Sequence, residues 1–136
     1  MKTQKLIITL MLSLWACLSY AQSESDLEGK WTMPFGENFS NLSVDVQDYY
    51  NRLSPPEQNN LKSKFEASYL ELKAGGILEV KDEFGQVLTG TWSLSGSTLK
   101  TQITGQNLKE RNIAQYSTGK MTLKSVEGYE LIFLKQ

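Results

Sequence analysis

The chain has 136 residues, of which 14 are basic and 15 acidic, with no histidine and a single cysteine. Without histidine the commonest general base and metal ligand is missing, and a net charge of −1 offers no attraction to nucleic acid. A chain of this length forms one domain, burying roughly two-thirds of the surface that its unfolded form exposes.

The first segment reads as an export leader. Lys2 and Lys5 make a basic start, Leu6 to Leu18 is an almost unbroken apolar run, and Ser19-Tyr20-Ala21 places small residues three and one before a cut ahead of Gln22. The run falls short of the roughly 20 apolar residues that a membrane-spanning helix needs. Residues 1–21 are therefore expected to be a signal peptide, and residues 22–136 the exported domain. Leu14-Trp15-Ala16-Cys17 supports a second reading, a lipid anchor on Cys17, although Trp15 is bulky for a lipoprotein box. Once Lys2 and Lys5 are removed, 12 basic residues face 15 acidic ones, a net charge of −3. Because Cys17 lies in the leader, the exported domain has no disulfide, and its fold must rest on packing.

Leu27-Glu28-Gly29-Lys30-Trp31 then opens the domain. A glycine two residues before a tryptophan lets the backbone curl while the indole closes one end of a small barrel. A helical pair follows. Leu42, Val46, Tyr49 or Tyr50, and Leu53 lie on one helical stripe, with Asp45 and Asp48 toward its N-terminal end. Ser54-Pro55-Pro56-Glu57 reads as a second helix start: a capping serine, proline where no amide hydrogen is needed, and glutamate to complete a capping box. Leu61 and Phe65 supply its buried side. This pair is expected to lie over one end of the barrel.

Beyond it the chain is punctuated by Gly75-Gly76, Gly85, Gly96, Gly105, Gly119 and Gly128, the turn signals of an antiparallel meander. Between them residues alternate with period two: Leu70 and Leu72, Leu78 and Val80, Leu88 to Leu94 through Gly90 and Trp92, then Leu99, Thr101 and Ile103, and Met121 with Leu123. Lys109 to Tyr116 breaks the pattern, because Ile113 is out of phase with Ala114 and Tyr116. Tyr129 to Lys135 is apolar on both faces, as a closing strand packed inside and outside would be.

These pieces carry a resemblance. Leu27 to Trp31, the strand and turn Tyr69-Leu70-Glu71-Leu72-Lys73-Ala74-Gly75-Gly76, and the hairpin Gly90-Thr91-Trp92-Ser93-Leu94-Ser95-Gly96-Ser97-Thr98-Leu99 are similar to those of short bacterial lipocalin-like (calycin-type) proteins. The resemblance covers essentially the whole exported domain. It implies a mainly β fold: an antiparallel meander barrel of about eight strands with a helical insertion between strands one and two. The chain departs from the larger lipocalins in lacking their Thr-Asp-Tyr turn. Neither Arg52 nor Arg111 is placed as the arginine that packs on their first tryptophan. The Arg-x-Tyr that grips a carboxylate in intracellular fatty-acid-binding proteins is also absent.

The resulting expectation is an exported, non-enzymatic protein of the bacterial cell envelope, periplasmic or extracellular, that encloses a small apolar molecule and uses no cofactor. Trp31, Leu70, Leu72, Trp92 and Met121 share the predicted inward phase and are the candidate ligand contacts, with entry past the helical pair. Inward tryptophans also serve as structural plugs, so the rival reading is a packed barrel that docks a partner protein through its outer face or helical lid. Asp45 with Asp48, and Asp82 with Glu83, are carboxylate pairs of the sort that can bind calcium or do acid and base work, but neither has the spacing of a calcium loop, and solvated helix starts and hairpin tips attract such residues anyway.

Overall fold

A computed structural model describes residues 23–136. The leader, the cut before Gln22 and the Cys17 alternative lie outside them. Eight antiparallel strands close on themselves in chain order: β1 (Gly29–Thr32), β2 (Tyr69–Lys73), β3 (Ile77–Lys81), β4 (Val87–Ser95), β5 (Thr98–Ile103), β6 (Lys109–Ser117), β7 (Lys120–Lys124) and β8 (Glu130–Lys135). The meander follows from its turns, since Gly75, Gly76, Gly85, Gly96, Gly105, Gly119 and Gly128 all take the positive φ that tight reversals between neighbouring strands need. The break in period between Lys109 and Tyr116 is a β-bulge. Ile113 pairs with Leu123 and Tyr116 with Met121, so β6 spends one more residue than β7 and both side chains still face inward.

One end of the barrel is packed shut. Trp31, Leu72 and Met121 are completely buried there, together with Leu27 from α1 (Glu24–Leu27), a one-turn helix that the sequence pattern did not suggest. The Trp31 Nε1–H donates to the Leu27 carbonyl at 2.8 Å, and the Trp92 Nε1–H donates to the Lys73 carbonyl at 2.8 Å. Lys135 packs over the first-strand tryptophan. Its Nζ lies 5.5 Å from the Trp31 ring centroid and donates to the Asp26 carbonyl at 3.1 Å, an oxygen that also accepts from the Tyr116 hydroxyl. Gly29 makes this possible, because a Cβ at that position would meet the Lys135 stem.

Gly90 has a different reason. A Cβ built there runs into the Gln102 carbonyl and the Ile103 Cα, both backbone atoms of the neighbouring strand, so β4 and β5 approach too closely for any side chain. Gly90→Ala is expected to cost about 1–3 kcal/mol, the usual range for overpacking. Urea melts of the two proteins check this, and an unchanged midpoint would show that the strands separate freely.

The insertion between β1 and β2 holds α2 (Phe35–Asn38), a single 3-10 turn (Phe39–Asn41), α3 (Val44–Arg52) and α4 (Pro55–Ala67). Ser43 caps α3, accepting from the Val46 amide, and Ser54 donates to Glu57 from both its amide and its hydroxyl at 2.9 and 2.8 Å. Those bonds, the backbone one foremost, hold the Glu57 carboxyl below its ordinary range. The helices gather around aromatic contacts of Phe35 with Phe39, Tyr50 and Phe65, whose ring centroids lie 5.6, 5.0 and 5.5 Å from it. Tyr50 rather than Tyr49 is the inward member of the stripe, and Val46 faces solvent.

The position of the pair differs from the expected lid over the barrel end. β1 stops at Thr32, opposite Leu134, and leaves the next part of β8, paired with β7 on its other edge, without a strand neighbour on this side. The Asn38 amide fills that gap: its Oδ1 accepts from the Ile132 N–H at 2.7 Å and its Nδ2–H donates to the Ile132 carbonyl at 2.9 Å. The insert is therefore drawn to the seam of the wall along β8. Asn38 is fully buried.

Candidate functional site

The inward phase predicted for the strands is correct, but it contains two levels. Below Trp31 the barrel is solid; above Trp31 it encloses a cavity of about 270 Å³. That volume lies just under the roughly 300–1,000 Å³ typical of sites for drug-sized ligands. Its walls are mostly apolar, with Leu70, Val80, Ile103, Leu131 and Phe133 contributed by different strands. The rim comes from the β3–β4 turn at Asp82 and Glu83 and from the β5–β6 turn at Gln106 and Asn107. No residue of α2, α3 or α4 lines the cavity. Met33 and Ser68, which flank the insert, do line it.

The five candidate contacts divide accordingly. Trp31 forms the floor and Leu70 part of the wall. Leu72, Trp92 and Met121 do not line the cavity; they are buried in the closed end. The register gives the reason. Leu72 pairs with Gly29, whereas Leu70 pairs with Trp31, so two inward residues of one strand sit on opposite sides of the floor. Met121 pairs with Phe133, one step toward the β6–β7 turn from Leu123, which does reach the cavity. Trp92 is drawn to the closed end by its bonds to Lys73 and Gly76 around the β2–β3 turn. Val80, Ile103, Leu131 and Phe133 were not singled out, although their strand phase agrees with the lining they provide.

The polar groups of the mouth are unequally engaged. The Asp82 carboxylate accepts from the Phe84 and Gln86 amides at 3.0 and 2.9 Å, so it builds its own hairpin turn. Glu83 stands exposed at the tip of that hairpin. On β6, Glu110 faces outward to Lys100 at 3.6 Å, which leaves Lys109 and Arg111 in the inward phase above Ile113. Both line the cavity, Arg111 half-buried and Lys109 exposed, and neither has an ion-pair partner among the described residues.

The wall also carries a charge network centred on Glu79, of which Tyr69 lines the cavity as well. Glu79 accepts from the Tyr69 hydroxyl at 2.7 Å and from Lys73 at 2.9 Å, and these bonds, Tyr69 first, hold its carboxyl below the ordinary range. The same contacts raise the Tyr69 phenol and the Lys73 ammonium. Asp45 stands exposed in the first turn of α3, within the helix-start role that its sequence position indicates.

Among the described residues, no helix is long and apolar enough to cross a membrane. No family model matches this chain, and no curated protein matches it at a significant level.

Proposed function

We propose that this chain is an exported lipocalin-like protein of the bacterial cell envelope, and that it binds a small apolar molecule without transforming it. The observation that supports this reading is the hollow upper half of the barrel, walled by Leu70, Val80, Ile103, Leu131 and Phe133 over a tryptophan floor. A core meant only for stability would fill that space, since protein interiors pack at crystal-like density and even a vacant methylene is felt. Removing an apolar ligand from water contributes about 25 cal/mol per Å² of surface buried, so even a small occupant gains substantially from the site. The partner-docking alternative draws on the exposed Val44, Val46 and Tyr49 of α3.

Octanol, a neutral chain of suitable size, tests the reading. Saturable binding with a change in the emission of Trp31, the tryptophan that lines the cavity, is the expected result. Val80→Trp should weaken that binding at least about tenfold by filling the space, a loss of about 1.4 kcal/mol or more. A cooperative thermal melt of the variant would establish that it folds. If octanol does not saturate the wild-type protein, the cavity reading fails and the α3 surface becomes the place to seek a partner.

A further inference from the structure

We infer, resting on the binding role proposed above, that the occupant is a single-chain amphiphile with a carboxylate head, held at the mouth by Arg111 with Lys109 beside it. The argument starts from β6. Inward positions on a barrel strand are ordinarily apolar, and Ile113 obeys that rule next to the floor. Two residues nearer the mouth the same face presents Arg111, and two further on Lys109, both lining the cavity. Register is not free to turn these cations outward. Arg111 pairs with the buried Leu99, while Glu110 is held outside by Lys100, so a one-residue slip would bury a carboxylate instead.

A half-buried guanidinium facing apolar walls has lost part of its hydration, and it keeps that cost unless an anion meets it. No carboxylate among the described residues forms an ion pair with Arg111 or Lys109. Asp82 and Glu83 also line the cavity, but the Asp82 carboxylate accepts from the Phe84 and Gln86 amides and Glu83 is exposed in the β3–β4 turn. An apolar shaft ending at an unneutralised cation is complementary to a molecule with an apolar tail and an anionic head. The planar guanidinium donates two parallel hydrogen bonds to a carboxylate, which fixes the head while the tail remains free to settle. Length is bounded as well. A cavity of about 270 Å³, just under the range typical of drug-sized ligands, suits a medium-length chain with its head at the rim.

Isothermal titration with octanoate, octanol and octylamine separates the head from the tail, because the three share one chain and differ in charge. Octanoate is expected to bind the wild-type protein at least about tenfold more tightly than octanol, and octylamine more weakly than either. Arg111→Gln should remove the preference for octanoate over octanol, with Lys109→Gln giving a smaller loss of the same kind. Raising the salt concentration should weaken octanoate and spare octanol, since the mouth is reached by solvent. Octanoate and octanol binding equally, or a preference that survives Arg111→Gln, would overturn the anchor while leaving the apolar cavity standing. Failure of all three compounds to bind would overturn both.

Discussion

Alanine at position 31 is expected to lower the stability of the domain by about 3–5 kcal/mol, the usual loss when a large buried aromatic is truncated. The reasons are cumulative. Trp31 is completely buried, so its removal opens a void between the closed end and the cavity above it. The Leu27 carbonyl loses the indole N–H that meets it at 2.8 Å, which detaches α1 from the barrel floor. Lys135, whose ammonium lies over the ring at 5.5 Å, loses its aromatic platform. There is no cysteine among the described residues, so no disulfide within them offsets this. Urea melts of wild type and variant measure the effect. Trp31→Phe serves as the control: it retains a ring but no N–H, and should lose less than alanine does. A midpoint unchanged in Trp31→Ala would show that the first-strand tryptophan does not hold the barrel end.

Asn38→Ala is expected to cost on the order of 3 kcal/mol, a large effect for a side chain that contributes little apolar surface. The amide is fully buried and makes three hydrogen bonds, to the Pro34 carbonyl at 2.9 Å and to both backbone groups of Ile132. Alanine leaves the Ile132 N–H and C=O facing a space that β1 has already left. Each buried polar group without a partner costs about 1–3 kcal/mol. Hydrogen exchange locates the damage: the Ile132 amide should be protected in the wild-type protein and exchange much faster in Asn38→Ala, with β3 to β5 amides changing only as far as global stability falls. Asn38→Asp is expected to be worse still, because it retains an acceptor for the Ile132 N–H but presents a buried negative charge to two carbonyl oxygens. If Ile132 exchanges slowly in both variants, the seam is closed by something other than this amide.

The two sites differ in how far a reading of residues could reach them. Strand identity and turn positions were legible because each rests on short-range chemistry: glycines at reversals, and a period of two that divides every strand into an inner and an outer face; the closed barrel was only what the resemblance implied. The capping box at Ser54 and Glu57 was legible for the same reason, all its partners lying within one turn. Even the disturbance around Ile113 was visible as a lost phase, though its meaning as a bulge needed the pairing with β7.

What the tertiary structure alone decided is height and docking. Leu70 and Leu72 are alike in type and phase, and only the pairing of β2 with β1 places one above the Trp31 floor and the other below it. Lys135 and Asn38 lie far along the chain from Trp31 and Ile132, and neither a lysine in a last strand nor an asparagine before a helix signals such a contact locally. The helical pair kept its predicted existence but not its place, because the early end of β1 exposed a backbone edge on β8 and the Asn38 amide bonded to it. Periodicity records which way a side chain points. Which side chains share a level, which edge is left open and which level stays hollow depend on register and strand length around the whole closed sheet, a long-range property carried by no single segment.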